Sequence, residues 1–139
     1  MEYTRYENDY VIRLDKGEEL IRCLTDFCEK EHISYGSVTG IGASDRVLIG
    51  IYDVQEQLFH QTEFNEVMEI TNITGNITRT NNGPYLHIHI SLAREDLSQI
   101  GGHLKECRIS ATCELHLHTV PLKIGRQPDP ETGLNIYRF

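Results

Sequence analysis

The chain has 139 residues, of which 39% are hydrophobic and 24% charged, and its formal net charge is −8. That length suits one domain, residues 1–139, with a buried core. The acidic balance argues against nonspecific nucleic-acid binding, which draws its affinity from Lys and Arg facing phosphates, and there is no apolar run of the roughly 18 residues that a membrane helix needs.

The opening residues, MEYTRYENDY, are polar and acidic. They resemble neither a signal nor a transit peptide, so the expected location is cytoplasmic. Residues 3–14 read as a first strand, with Tyr6, Tyr10, Ile12 and Leu14 mostly alternating with polar residues. Asp15 is a good helix N-cap, and Glu18 three residues on completes an Asp-x-x-Glu capping box. Leu20, Ile21, Leu24, Phe27 and Cys28 then recur at helical spacing, which predicts a helix over about residues 16–31.

The glycines Gly36, Gly40 and Gly42 mark residues 33–43 as a bent strand that approaches other backbone closely. A lone Gly-x-Gly is a weak phosphate-loop signal without a third glycine and a strand–turn–helix setting. Residues 47–54 form a strand that pairs with 58–64 as a hairpin across Gln55-Glu56-Gln57. Residues 67–77 are extended. Asn81-Asn82-Gly83-Pro84 is a strong turn. A strand follows it, then a polar loop at 94–98, the segment Ile100-Gly101-Gly102-His103-Leu104, a strand at 109–120 and a last strand at 134–139. Many strands and one clear helix indicate an α+β fold, with one main helix packed on a largely antiparallel, mixed β-sheet.

Chemistry concentrates in YLHIHISLAREDLSQIGGHL, residues 85–104. Leu86, Ile88 and Ile90 alternate with Tyr85, His87 and His89, the period of a half-buried strand. His87 and His89 therefore share a face, their backbones about 6.6 Å apart. They can lean onto one ion with metal–nitrogen bonds of about 2.0–2.1 Å. After Gly101-Gly102, His103 supplies a third ligand if the chain folds back. Three His ligands with an open fourth position are the pattern of a catalytic zinc site. The same spacing also suits an exposed polar strand face.

Glu114, His116 and His118 share one strand face and form a competing set, without a Gly-Gly bend to recruit a further group. His32 and His60 are isolated. The four cysteines, Cys23, Cys28, Cys107 and Cys113, match no metal motif and read as core or near-surface residues in a reducing compartment.

The run HIHISLAREDLSQIGGHL, preceded by ITNITGNITR, resembles the PPC domain, the "plants and prokaryotes conserved" family. The motif residues are His87-Ile88-His89, Ser91-Leu92-Ala93 and Gly101-Gly102-His103-Leu104. The early helix, Gly40–Gly42, Glu69-Ile70 and Thr74-Gly75 extend the match over essentially the whole chain. The resemblance implies an antiparallel-rich α+β fold and a homotrimer. It also implies zinc or another divalent metal on His87, His89 and His103, as some prokaryotic members carry. The fold is similar to that of acetolactate decarboxylase, whose metal is also held by three histidines. In plants the domain is joined to a DNA-binding AT-hook built on Arg-Gly-Arg-Pro. Here only Gly125-Arg126-Gln127-Pro128 approaches that sequence, without the first Arg and followed by Asp129.

Two functions follow from this reading. One is a trimeric zinc protein with a small-molecule ligand, whether or not it catalyses a reaction. In that case Glu69 or Glu114 would be a general base or a partner to the histidines. The other is a DNA-associated regulatory module that could gather Arg46, Arg79, Arg94 and Arg126 into a basic patch.

Overall fold

Alternating apolar and polar residues dominate this chain, and the structure that follows is mostly strand. The computed structural model describes residues 1–139. In chain order the elements are β1 (Glu2–Tyr6), β2 (Asp9–Asp15), α1 (Leu20–Lys30), β3 (Gly36–Asp53), β4 (Leu58–Phe64), β5 (Met68–Thr80), β6 (Gly83–Ala93), β7 (Gln99–Thr119), β8 (Gly125–Pro128) and β9 (Asn135–Arg138). Seven strands form one sheet in the order β1-β2-β7-β6-β5-β3-β4, and β8 and β9 form a separate two-stranded sheet. Every pairing is antiparallel. A further β7–β3 pairing closes β3, β5, β6 and β7 into a ring.

The expected helix-on-sheet arrangement is present. Leu20, Leu24, Phe27 and Cys28 are buried on one stripe of α1, which packs against β6 and β7. They join a single core that includes Tyr10, Ile12, Leu14, Ile73, Ile88, Ile90, Leu92, Leu115 and Leu117. Removing each such side chain from water contributes about 1.5–3 kcal/mol. Cys28, Cys107 and Cys113 are free and buried. Burial pushes their thiols up to about 12, 11 and 12 respectively, so they stay protonated and pack as small apolar groups.

Three boundaries differ from the sequence expectation. The single strand over residues 3–14 is a hairpin, β1 and β2, paired from Glu2↔Arg13 to Tyr6↔Asp9. Its two-residue turn places Glu7 at φ 51, in the left-handed region that few side chains favour. The predicted strands at 33–43 and 47–54 are one 18-residue strand, bent by register shifts near Gly40, Gly42, Ser44 and Leu48. The predicted segments at 100–104 and 109–120 likewise merge into the 21-residue β7. The turn at Asn81-Asn82 connects β5 and β6 as expected, with Thr80 opposite Gly83.

Helix α1 starts four residues later than the capping box suggested. Asp15 and Glu18 do bond reciprocally: the Asp15 N–H donates to Glu18 Oε2 at 2.8 Å, and the Glu18 N–H to the Asp15 carbonyl at 3.2 Å. They close a turn instead of opening a helix, because Gly17 sits at φ +87. The N-cap is Glu19, whose carboxylate accepts from the Ile21 and Arg22 N–H groups at 3.1 and 2.7 Å. It also accepts from the Cys107 N–H of β7 at 2.9 Å. One carboxylate thus ties the helix start to the strand behind it. Glu19→Ala is expected to lower stability by about 1–2 kcal/mol. Urea unfolding checks this, and Glu19→Gln, which keeps an acceptor, should lose less; an unchanged midpoint in Glu19→Ala would contradict the role.

Candidate metal centre

The pleat of β6 separates two kinds of side chain. Ile88 and Ile90 are 1% and 2% exposed, inside the core. His87 and His89 project from the opposite face. The chain turns back at Arg94–Ser98, where the Arg94 N–H donates to the Ser98 carbonyl at 2.9 Å. Strand β7 then returns beside β6 with His103 directly opposite His89.

The three rings form a nearly equilateral triangle. Centroid separations are 5.2 Å for His87–His89, 5.3 Å for His87–His103 and 5.4 Å for His89–His103. Each ring offers a nitrogen within 4.8 Å of the nitrogens of the other two. Small ring rotations bring these to the roughly 3.3 Å that tetrahedral bonds of about 2.0–2.1 Å impose. Burial is the main cause that lowers the His87 pKa, followed by His89, Arg126 and Lys105. Burial and then Lys105 bring His103 down to about 4. Both imidazoles are therefore neutral at neutral pH, the state that ligates a metal. Three converging imidazole nitrogens are a donor set that fits zinc.

Gly101 and Gly102 have a different role from the expected bend. Both lie inside β7. A Cβ on Gly101 would stand 2.5 Å from the Ile90 carbonyl oxygen, and one on Gly102 would stand 2.8 Å from that of Gly50. The pair lets β6, β7 and β3 approach one another, and that approach holds His103 opposite His89.

The other predicted residues fall elsewhere. Glu69 and Glu114 share a separate hollow with Ile41, Thr71 and Thr112. That hollow is separate from the cavity that the three histidines line. His116 Nε2 and His118 Nδ1 both contact Asp9 Oδ1, at 3.0 and 2.8 Å, which uses the second histidine pair to join β7 to β2. A second acidic cluster, Asp53, Glu56 and His60, is on the exposed β3–β4 turn. There Asp53 Oδ1 already accepts from the Gln55 and Glu56 N–H groups.

The histidines face a cavity of about 960 Å³ whose wall includes residues that sequence reasoning did not single out. Phe59 of β4 and His103 meet in a T-shaped pair with ring centroids 5.2 Å apart, and the Lys105 ammonium lies 4.7 Å from the Phe59 ring centroid. Arg126 of β8 lies 4.8 Å over Tyr85 and 4.4 Å over Tyr137. Its Nε donates to Thr78 Oγ1 at 3.0 Å, Nη1 to the Asn135 carbonyl at 3.1 Å and Nη2 to Asn76 Oδ1 at 2.6 Å. No sequence signal marked Arg126 as part of this site, because Asn76, Thr78 and Tyr85 are some forty or more residues away along the chain.

Comparison with known proteins agrees with this geometry. The model of the Plants and Prokaryotes Conserved (PCC) domain, the family abbreviated PPC, matches residues 1–121. No curated protein matches. Among solved structures, a provisionally named DNA-binding protein from Bacteroides thetaiotaomicron is 33% identical, with 99% of this chain and 96% of that one covered and a TM-score of 0.96. A metal-containing protein from Archaeoglobus fulgidus is 29% identical, covering 99% and 97%, with a TM-score of 0.90. Alpha-acetolactate decarboxylase from Bacillus subtilis shares the fold at 13% identity, with 94% of this chain and 60% of that one covered and a TM-score of 0.57.

Proposed function

We propose, from the premise that this chain belongs to the Plants and Prokaryotes Conserved (PCC) domain family, that it is a homotrimeric, zinc-binding protein of the cytoplasm that acts on or senses a small molecule. The observation that carries this reading is the triangle of His87, His89 and His103 on two neighbouring strands. The relative from Archaeoglobus fulgidus that is described as metal-containing supports it. A divalent ion held there would supply an open coordination position, able to polarise a carbonyl or lower the pKa of bound water. The chain's own residues do the rest: the imidazoles hold the ion, and the cavity wall orients what enters.

Assembly as a trimer is supported by the sheet edges. Strands β1 and β4 end the seven-stranded order, and an unpaired strand edge invites pairing with another chain. Ile41, Ile51 and Leu58 are exposed, and burial between copies would remove that apolar surface from water.

A DNA-associated module is the second reading, favoured by the description of the Bacteroides relative. The charges oppose it. Arg46 pairs with Glu63 and Glu106, Arg79 with Glu29 and Arg94 with Glu66. Arg126 lies in the histidine cavity. The expected basic patch is thus neutralised or turned inward within each chain.

Three outcomes are expected. Elemental analysis of protein purified without a His-tag should give about one zinc per chain, and His87→Ala should remove most of it; undiminished zinc in that variant would contradict the site. Light scattering should give a mass near three times the 16.0 kDa of one chain, and a mass near one chain would rule the trimer out. Binding to A·T-rich duplex should be weak at about 150 mM salt, because few phosphates are neutralised. Submicromolar binding with a steep salt slope would instead make DNA association the leading function.

A further inference from the structure

We infer that the cavity before His87, His89 and His103 binds a small organic carboxylate with an apolar body, and that Arg126 recognises the carboxylate. The inference rests on the metal-holding reading of the histidines for where the ligand's reactive end would lie. It goes further in naming the ligand class and the residue that selects it.

The first support is a charge asymmetry. The chain carries 21 Asp and Glu residues against 13 Lys and Arg. Yet the cavity wall holds Lys105, Arg126 and the three histidines without one acidic side chain. Five of the other eight arginines meet carboxylates: Arg13, Arg46, Arg79, Arg94 and Arg108. An acid-free wall in an acidic chain concentrates positive potential at one place and draws anions there.

The second support is how Arg126 is held. Its three hydrogen-bond acceptors are a hydroxyl, a backbone carbonyl and an amide, all neutral. Its guanidinium also lies against two aromatic rings, Tyr85 and Tyr137. The group is therefore fixed in place while its charge is left uncompensated. A guanidinium has about five N–H donors. Three are used here, which leaves one on each Nη atom. Two parallel N–H groups match the two oxygens of a carboxylate. Immobilising the fork beforehand removes much of the ordering cost of binding.

The third support is the rest of the wall. Ile51, Phe59, Leu134 and Ile136 line it, and their apolar surface suits a hydrocarbon or aromatic body. Arg126 and Tyr137 lie on β8 and β9, and Leu134 immediately before β9. All three fall after residue 121, where the match to the family model ends. The histidine triangle thus lies within the residues that the family model matches, and Arg126 lies on the C-terminal hairpin beyond them.

Isothermal titration calorimetry with phenylacetate and its neutral counterpart phenylacetamide tests this, on protein whose zinc content has been measured. Wild-type protein should bind phenylacetate at least about tenfold more tightly than the amide. Arg126→Gln should abolish that preference while zinc content stays at the wild-type level. Equal affinity for the two probes, a preference that survives in Arg126→Gln, or no binding of phenylacetate at roughly 10 mM would each overturn the inference. The wild-type comparison stands even if the variant fails to fold. Stoichiometric zinc without a charge preference would overturn the carboxylate site and keep the metal reading. A charge preference in protein that takes up no zinc would keep the carboxylate site and overturn the metal reading.

Discussion

A slip of β6 by one residue against its neighbours would turn Ile88 and Ile90 out of the core and drive His87 and His89 into it. Each isoleucine would lose about 1.5–3 kcal/mol of burial, and the imidazoles would enter an apolar interior without partners, which costs more again. The pairing His89↔His103 is held by that penalty. So is the position of His87, two residues along the same face. The core on the helix side therefore fixes the spacing of the ligands on the open side. Gly101 and Gly102 permit the strand approach that this register requires. A larger residue at either position would force the ladder open where the third imidazole enters.

Burial also sets the protonation state of the site. The same wall that partly removes His87 and His103 from water lowers their affinity for protons; Lys105 lowers both further, and Arg126 lowers that of His87. In most proteins a carboxylate beside a ligating histidine works the opposite way, orienting the ring and raising its basicity. Here the cavity wall offers no such carboxylate. Aromatic rings and fixed cations take its place: Phe59 makes a T-shaped pair with His103, and Arg126 lies against Tyr85 and Tyr137. Such a surrounding keeps His87 and His103 neutral and the cavity attractive to anions at the same time.

The sequence made legible what local periodicity controls. Alternation located His87 and His89 on one face, the helical repeat found the buried stripe of α1, and Asn81-Asn82-Gly83 announced the β5–β6 turn. It was less informative wherever long-range contacts decide. Asp15 and Glu18 make one of the two capping-box bonds, Asp15 N–H to the Glu18 carboxylate, but Gly17 takes a left-handed conformation and Glu19, bonded to Cys107 across the fold, opens the helix. Glu7-Asn8-Asp9 is a turn-prone run, yet the flanking alternation continues through it and hid the first hairpin. Bulges keep β3 and β7 continuous where apolar patterning alone suggested breaks. Arg126 was out of reach for the same reason. It stands in a segment that reads as a failed AT-hook, and only the docking of β8 beside β5 reveals what it faces.

The origin of the third ligand decides how rigid the site is. A histidine delivered by a loop would have to be ordered when the ion binds, losing backbone freedom of about 1–2 kcal/mol per residue fixed. His103 instead sits within a ladder paired on one side to β6 and on the other to β3, opposite both His89 and Gly50. Its backbone is already fixed by hydrogen bonds, and only ring rotations remain to be lost. The cluster of Asp53, Glu56 and His60 shows the contrast: it stands on an exposed turn, with its Asp53 carboxylate engaged by backbone N–H groups. Of the two groups of side chains close enough to share an ion, only the histidine triangle combines three imidazole donors, a prepaired backbone and a cavity in front of it.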